Sequence, residues 1–259
     1  MDLGIAGRKA IVCASSRGLG RGCAMALAEA GCEIVVNGRD SEALEATAEA
    51  LRAAGSPKVT AVAADVSTRD GQAALLEACP EPDILVNNNA GPPLRDFREL
   101  DRDKMLAGIV QNLVTPVELV QAVIDGMIAR RFGRIVNITS SGVLMPIPGL
   151  DLSSGARAGL TAFLMGVARQ VVKHNVTINN ILPGRIETDR LRANLKWGAE
   201  QAGIGVEEQA EKQAALIPAG RFGTPEEFGK VCAFLCSAHA GYITGRNIAI
   251  DGGLIPTAF

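Results

Sequence analysis

The stretch KAIVCASSRGLGRG, residues 9–22, decides the fold class. Its first half is a short apolar run typical of a buried strand, and its second half places Gly18 and Gly20 where a helical pattern over 19–30 begins. Glycines at a strand-to-helix turn let the backbone approach a pyrophosphate, which the free N–H groups of the helix N-terminus bind. Because the turn follows the first strand of a β-α-β unit, it indicates a dinucleotide site.

Strand-like and helical stretches alternate along the rest of the chain. A helix over 41–54 is expected to have Ser41 as its N-cap, and long helices are predicted over 101–130 and 153–174. Six further apolar runs are predicted strands, at residues 32–38, 58–65, 82–88, 133–140, 176–184 and 247–253. This alternation predicts an α/β fold: a single-domain, Rossmann-type doubly wound parallel sheet of about seven strands with helices on both faces.

Residues 185–223 form a long, charged and mostly helical stretch between the last two predicted strands. The stretch leaves its strand at the carboxyl end, which is where ligands bind in doubly wound sheets. We therefore predict a helical substrate lid here. A plain surface helical hairpin is the alternative interpretation.

Composition argues against several classes of partner. The chain has 259 residues, with 26 Lys and Arg against 28 Asp and Glu, and its basic residues are scattered rather than clustered as in nucleic-acid-binding proteins. No apolar run approaches the roughly 20 residues of a membrane span, and the N-terminus lacks the pattern of a signal peptide. The sequence predicts a cytoplasmic protein that binds neither nucleic acid nor membrane.

The cysteines and histidines show no metal-ligand spacing. Only two histidines are present, His174 and His239, and no pair of cysteines forms a C-x-x-C motif. Buried free thiols in a reducing compartment are expected instead, and no metal site is predicted. The six cysteines are Cys13, Cys23, Cys32, Cys79, Cys232 and Cys236.

The second predicted strand indicates which cofactor is bound. An NAD site usually has an acid at the end of this strand, whereas this chain has Asn37, Gly38 and Arg39, with Arg17 nearby in the glycine turn. Asp40 follows, but as the start of the next helix it is expected to point elsewhere. Two guanidinium groups suit a 2′-phosphate, so NADP(H) is favoured over NAD(H).

A series of motifs in a fixed order resembles the short-chain dehydrogenase/reductase family over essentially the whole chain. In detail the chain is most similar to the 3-oxoacyl-carrier-protein reductase-like branch. The motifs are the glycine turn, ADVS (64–67), LVNNNAG (85–91), QNLVTP (111–116), NITSS (137–141), LPGRIET (182–188), GRFGTPEEFG (220–229) and YITGRNIAIDGG (242–253).

The resemblance implies a set of cofactor-binding residues. Asp65 would bond the adenine and Thr188 would lie near the nicotinamide carboxamide. The segment 87–91 allows two registers: either Asn89 and Ala90, or Ala90 and Gly91, take the family's Ala-Gly places. The implied set is Ser15, Ser16, Arg17, Gly18, Leu19, Gly20, Arg39, Asp65, Val66, Asn88, Ala90, Arg157, Pro183, Gly184, Ile186 and Thr188.

The chain departs from the family at its two central catalytic positions. Ser153 and Arg157 stand where the family has Tyr and Lys, and Ser140 lies thirteen residues before Ser153, as the family's active-site Ser does before its Tyr. Ser141 is the second candidate for that serine, and Asn112 matches the family's helix Asn. An alkyl hydroxyl is a far weaker acid than a phenol, and a guanidinium with a pKa above about 12 does not release its proton. We expect Arg157 to polarise an oxygen and bond the nicotinamide ribose. Ser140, Ser153 and Asn112 would hold a water in place of the Tyr ring.

Three functions remain open from the sequence. The first is an NADP(H)-dependent oxidoreductase that interconverts a carbonyl and an alcohol through the Ser140–water–Ser153–Arg157 arrangement. The second is a catalytically impaired NADP(H)-binding protein used for sensing or assembly. The third is a non-redox lyase or isomerase with Glu187 or Asp189 as its base.

The expected substrate is a small apolar carbonyl compound. The segment GVLMPIPGLD (142–151) and the pair Pro92–Pro93 are predicted to form the apolar wall of its pocket. In the family, helices equivalent to 101–130 and 153–174 pair across two-fold axes. The resemblance therefore implies a homotetramer, with a dimer as the alternative.

Overall fold

A computed structural model describes residues 1–257 and shows one α/β domain built on a seven-stranded parallel sheet. The strand order is β3-β2-β1-β4-β5-β6-β7. Strands β2 and β3 are added on one side of β1 and strands β4 to β7 on the other, so the order of strand addition reverses between β1 and β4. This confirms the predicted fold class. The strands are β1 (Lys9–Val12), β2 (Glu33–Gly38), β3 (Val59–Ala63), β4 (Ile84–Asn87), β5 (Gly133–Ile138), β6 (Val176–Pro183) and β7 (Asn247–Ile250).

Helices cover both faces of the sheet and connect its strands. Their bounds are α1 (Gly18–Glu29), α2 (Ser41–Ala53), α3 (Arg69–Ala78), α4 (Arg102–Ile109), α5 (Thr115–Arg130), α6 (Asp151–Val171), α7 (Asp189–Ala202), α8 (Val206–Ala215) and α9 (Pro225–Cys236). A π-helical turn, Val110–Val114, joins α4 to α5. The prediction of Ser41 as the cap of α2 was wrong. Asp40 caps this helix, since its carboxylate accepts a hydrogen bond from the backbone N–H of Ala43 at 3.2 Å.

The core lies in two layers because successive strand residues point to opposite faces. Val12 packs with α1, α2 and α9, and its neighbour Ile11 packs with α3, α5 and α6. Within the first layer, α1 and α9 approach closely at Gly22 and Gly229, where an added methyl group would lie within 2.2 Å of a facing carbonyl oxygen.

The six cysteines are buried free thiols, as the sequence predicted. Burial raises the pKa of the Cys13 thiol to about 12, so this thiol stays protonated at neutral pH. The described residues contain no group of three or more metal-ligating side chains.

The continuous helix Arg102–Arg130 is long and apolar enough to cross a membrane by length and composition. This confirms the long helix predicted over 101–130, although no uninterrupted apolar run of about 20 residues occurs in it. Its second half nonetheless packs on the sheet, where Leu119, Val123 and Met127 belong to the second core layer. Core helices that pack on a sheet also meet this criterion of length and composition.

Four asparagines form a ladder across the strands that carry the second half of the sheet. Asn87, Asn137, Asn180 and Asn247 are register partners on β4, β5, β6 and β7. Each side-chain amide donates to the next side-chain oxygen, at 2.9, 2.9 and 2.8 Å along the series. Because the first three residues are buried, each of these groups depends on its neighbour for a hydrogen-bond partner.

We predict that Asn137→Ala lowers the free energy of unfolding by about 3 kcal/mol. The substitution leaves a buried donor on Asn87 and a buried acceptor on Asn180 without partners, and each such loss costs about 1–3 kcal/mol. Urea denaturation followed by circular dichroism measures the change. Asn247→Ala is the matched control at the exposed end of the ladder, where water replaces the partner, and should cost less than about 1 kcal/mol. Equal losses in the two variants would contradict this account.

Candidate active site

A large cavity of about 1020 Å³ lies at the carboxyl edge of the sheet. It runs from the glycine turn past the ends of β2, β4 and β5 to the segment that follows β6. Most of the predicted site residues line it. They are Ser16, Arg17, Gly18, Leu19, Arg39, Asp65, Val66, Asn88, Ala90, Ser140, Ser153, Arg157, Pro183, Gly184, Ile186 and Thr188.

The glycine turn has the geometry of an anion cradle. Gly18 opens α1 with a φ of +57°, a conformation that glycine adopts without strain. The residue before it, Arg17, is extended and provides no side-chain cap, so the first N–H groups of α1 point toward the cavity end without a side-chain partner. Thr188 faces the turn from the other side, with its methyl carbon 3.6 Å from where a side chain on Gly18 would begin. These features fit the pyrophosphate of a dinucleotide.

Two residues predicted to bind the cofactor do not line the cavity. Ser15 is fully buried, and its hydroxyl donates to the Val12 carbonyl at 2.7 Å and accepts from the Asn37 N–H at 3.0 Å. Gly20 packs α1 against the turn, since an added methyl group would lie 2.4 Å from the carbonyl oxygen of Ala14. Both residues shape the turn through packing and hydrogen bonds rather than by lining the cavity.

The two arginines near the end of β2 have acidic neighbours. Arg17 bonds Asp40 at 2.5 Å, so the expectation that Asp40 points elsewhere was wrong. Arg39 lies 3.9 Å from Asp65. Both pairs are solvent-exposed, and exposed pairs of this kind contribute at most about 1 kcal/mol. Reorienting these guanidinium groups toward a bound phosphate therefore costs little free energy.

The ambiguous segment after β4 lies between the glycine turn and α4. Asn88 donates to the carbonyl of Ala14 at 3.0 Å, and Asn89 donates to the Ser67 hydroxyl at 3.0 Å. Of the predicted apolar wall, the segment 145–148 and Leu150 line the cavity. Pro92 and Pro93 do not line it, which corrects the prediction for that pair.

Ser153 and Arg157 lie in the first turns of α6, which begins at Asp151. Both are buried, and Arg157 is only 7% exposed. The guanidinium donates from Nη1 to the carbonyl of Ile138, at the end of β5, at 2.5 Å, and from Nε to the Ser153 hydroxyl at 3.3 Å. It forms no ion pair within residues 1–257, and burial together with the nearby Arg190 lowers its pKa to about 10. Arg157 is therefore a buried cation at neutral pH.

Ser140 is held by its own loop. Its hydroxyl oxygen accepts from the Gly142 N–H at 3.0 Å, at the start of a short helical turn. The Ser153 hydroxyl oxygen likewise accepts, in its case from Arg157. Since each oxygen already accepts a hydrogen bond, each hydroxyl hydrogen is available to a ligand in the cavity.

Asn112 does not join Ser140 and Ser153 in one cavity, which corrects the expected arrangement around a shared water. Its amide donates to the Gly108 carbonyl at 3.1 Å, within the π-helical turn. It lines a separate small cavity of about 20 Å³ on the other side of Arg157, large enough for one water molecule. Three residues of that cavity carry a buried oxygen without a hydrogen-bond partner among the described residues: Asn87, Asn112 and Thr115.

Sequence reasoning missed Arg190. It lies two residues beyond Thr188 in the first turn of α7, lines the large cavity and donates from Nη2 to the Pro92 carbonyl at 3.0 Å. Its place after the LPGRIET motif was the only available signal. Of the alternative bases, Glu187 does not line the cavity, and Asp189 pairs with Arg192 at 3.3 Å. Tyr242 is fully exposed outside the cavity, so it does not replace the missing phenol.

Comparisons with known proteins agree with this geometry. Residues 13–255 match a family model described as enoyl-(acyl carrier protein) reductase. The chain is 32% identical to the 3-oxoacyl-[acyl-carrier-protein] reductase FabG of Pseudomonas aeruginosa, over 97% of this chain and 99% of that protein. It is 31% identical to the NADPH-dependent reductase BacG of Bacillus subtilis, over 95% of this chain and 97% of that protein.

A solved structure has the same fold over nearly the whole length. It is the L-sorbose reductase of Gluconobacter frateurii complexed with NADPH and L-sorbose, which superposes with a TM-score of 0.94 at 30% identity. The match covers 99% of this chain and all of that one. Together with the two relatives and the matched family model, this likeness shows that the chain belongs to the short-chain dehydrogenase/reductase family.

Proposed function

We propose that the protein is an NADP(H)-dependent oxidoreductase that interconverts a small-molecule carbonyl and an alcohol. The observation that carries this proposal is the single cavity that joins the glycine turn and Arg39 to Ser140, Ser153 and Arg157. The relatives named above are reductases, two of them NADPH-dependent or complexed with NADPH by their own descriptions. Turnover of NADPH with a panel of carbonyl compounds, followed by absorbance, tests the proposal.

The residues that would hold the cofactor follow from the lining of the cavity. The N–H groups of the glycine turn suit the pyrophosphate, and Arg17 and Arg39 suit the 2′-phosphate. Asp65 and Val66 line the adenine end. Pro183, Gly184, Ile186 and Thr188 line the opposite end, together with Arg157. When bound, the reduced nicotinamide supplies the hydride for a carbonyl carbon.

In the proposed reaction Ser140 and Ser153 donate hydrogen bonds to the carbonyl oxygen. As the oxygen becomes negative, Arg157 stabilises it through Ser153, whose hydroxyl it already polarises. A serine hydroxyl is about as weak an acid as water, so the site holds no tuned general acid. The product oxygen therefore gains its proton by exchange with bulk solvent through the open cavity, and both serine hydroxyls end in their starting protonation state. Losing a positioned general acid costs about 10²–10⁴ in rate, so we expect slow turnover rather than none.

The small cavity beneath Arg157 has a proposed role in this scheme. A water there would satisfy oxygens of Asn87, Asn112 and Thr115 that have no partner in the described protein. It would also hydrogen-bond the guanidinium and so help to hold Arg157 against the end of β5. Asn112 is then a positioning residue for Arg157 rather than a partner of Ser153.

A catalytically impaired NADP(H)-binding protein is the second candidate function. The observation in its favour is that no tyrosine lines the cavity, although the cofactor end is largely intact. A lyase or isomerase is the third candidate. Glu187 lies outside the cavity, whereas Asp189 lines it and forms only an exposed pair with Arg192.

The helical segment after β6 is the proposed substrate lid. Its helices α7 and α8 pack against each other, and both contribute residues to the cavity wall, including Trp197 and Gln213. A cytoplasmic location is part of the same proposal, in keeping with an NADP(H)-dependent reaction and six free thiols.

We predict that NADPH binds more tightly than NADH and that Arg39→Ala weakens NADPH binding by roughly 10- to 100-fold. Loss of a charge-assisted hydrogen bond costs about 1.5–3 kcal/mol. NADH has no 2′-phosphate and makes no such bond with Arg39, so its affinity should not change. Fluorescence titration with both cofactors measures the affinities, and the unchanged NADH affinity is the internal control. Equal affinity of the unaltered protein for NADPH and NADH would refute the assignment.

We predict that Ser153→Tyr combined with Arg157→Lys raises NADPH-dependent ketone reduction by at least ~10². The phenol restores a proton donor, and the ammonium lowers its pKa, so each single change should achieve much less. The matched control is Ser153→Phe with Arg157→Lys, which adds the same ring without the hydroxyl. A double variant that folds, binds NADPH and stays as inactive as this control would favour the binding-protein function.

We further propose a homotetramer, with a dimer as the alternative. Apolar side chains on α4 and α6 are exposed, including Leu106, Phe163 and Met165, beside the small exposed residues Gly155 and Ala162. Gly159, another small residue of α6, packs against Leu113 of its own chain. Light scattering at micromolar concentration should give the mass of four chains, and a monomer would overturn the proposal.

A further inference from the structure

Two guanidinium groups of cavity-lining residues meet beside Gly91, which does not itself line the cavity. A methyl group added to Gly91 would lie 2.8 Å from Nη1 of Arg190 and 3.5 Å from Nη2 of Arg157. The two arginines come from different elements, α7 and α6, so helix periodicity does not explain their meeting. A carboxylate has two oxygens, so it can accept one charge-assisted hydrogen bond of about 2.7–2.9 Å from each of two neighbouring guanidinium groups.

Neither cation has an acidic partner. Within residues 1–257 neither Arg157 nor Arg190 forms an ion pair, and the nearby Asp189 is taken by Arg192. Two of the three nitrogens of Arg157 are used, by Ile138 and Ser153, while Nη2 makes no hydrogen bond in the described protein. Nη1 of Arg190 is likewise without a hydrogen bond there, since its one bond, to Pro92, comes from Nη2. Arg157 is a buried residue whereas Arg190 is exposed, and the unused nitrogens of both are accessible from the cavity. They are therefore free to donate to a bound anion.

We propose that Arg157 and Arg190 form a site for the carboxylate of the substrate, so that the preferred substrates are free oxo acids rather than neutral carbonyl compounds. This inference rests on the proposed function and replaces the apolar substrate expected from the sequence. The carbonyl oxygen would lie at Ser140 and Ser153. Because Arg157 contacts Ser153 directly, the carboxylate must be close to the carbonyl in the substrate, as in an oxo acid with the two groups on adjacent carbons.

The apolar part of the wall fits the rest of such a molecule. The segment 145–148, with Leu94 and Leu150, faces the cavity and suits a hydrocarbon tail. One end of the substrate is then fixed by charge and the other by apolar contact. A thioester of an oxo acid carries no carboxylate at this point, so it would leave both guanidinium groups unpaired and bind less well.

Benzoylformate and its methyl ester are the matched probes, because they share the ketone and the phenyl ring and differ in the charge. We expect the protein, saturated with NADP⁺, to bind benzoylformate at least ~10-fold more tightly than the ester in isothermal titration calorimetry. Arg190→Gln should lower the benzoylformate affinity by at least ~10-fold, and Arg190→Lys should lower it less, because the charge is retained. Arg192→Gln, two residues further along the same exposed turn, is the matched control and should leave the affinity within about 2-fold.

Three results of the binding measurements would overturn the carboxylate site. The first is equal binding of benzoylformate and its ester, and the second is an Arg190→Gln variant that still binds the acid normally. The third is a loss of NADPH affinity in Arg190→Gln while the affinity for the acid persists, which would assign the arginine pair to a cofactor phosphate. Failure of the proposed function is a separate outcome: the acid binds through Arg190, but neither probe is reduced by NADPH. Reduction of the ester alone would instead sustain the function and refute the carboxylate site.

Discussion

The buried positive charge of Arg157 is the constraint around which the rest of the site is arranged. A guanidinium that is 7% exposed loses most of its hydration, and no carboxylate in the described chain compensates for that loss. Two neutral acceptors offset part of it: the carbonyl at the end of β5 and the hydroxyl of Ser153. The remaining donor is directed to the region of Gly91, where Arg190 adds a second charge. The cavity is therefore positive at the point where a reacting oxygen or an acid group would lie.

The parallel sheet supplies the positions of these groups. Its strands end at one edge, so Ile138 from β5, Asn87 from β4 and Pro183 from β6 are brought together although they are far apart in the sequence. The asparagine ladder fixes the register of four of these strands and ends at Asn87, in the wall of the small cavity below Arg157. Asn87 thus belongs to both the asparagine ladder and the small cavity of the candidate site. A substitution in the ladder should therefore also alter the position of Arg157.

The fold was predictable because apolar periodicity and glycine placement are local signals. The seven strands were found in order, although most were predicted a few residues too long at the carboxyl end. The first strand stops at Val12 because the backbone already turns at Ala14. The cavity lining was mostly predictable from the family motifs, which follow the strand ends. Side-chain partnerships were not predictable. Ser15 turned inward to satisfy Val12 and Asn37, and Asp40 both capped its helix and bonded Arg17, because these contacts depend on the three-dimensional packing of segments distant in sequence.

The contacts of Arg190 in the site were likewise not predictable from the sequence, because its flanking residues do not distinguish it from Arg192. Only the fold places one beside Gly91 and the other beside Asp189. The exchange of Tyr and Lys for Ser and Arg that the resemblance implies would then have a physical interpretation. The chain gives up a tunable proton donor and gains a fixed cation, which favours stabilising negative charge over transferring a proton.

A single-turnover reaction with NADPH deuterated at the transferring position of the nicotinamide tests this account most directly. The protein, NADPH and benzoylformate are mixed, the reaction is quenched, and the product is examined by mass spectrometry. The account predicts mandelate with one deuterium on its carbinol carbon, formed despite the absence of a tyrosine from the site. Bound NADPH with no labelled alcohol, from benzoylformate or from its methyl ester, would contradict the claim that the Ser140, Ser153 and Arg157 arrangement supports hydride transfer.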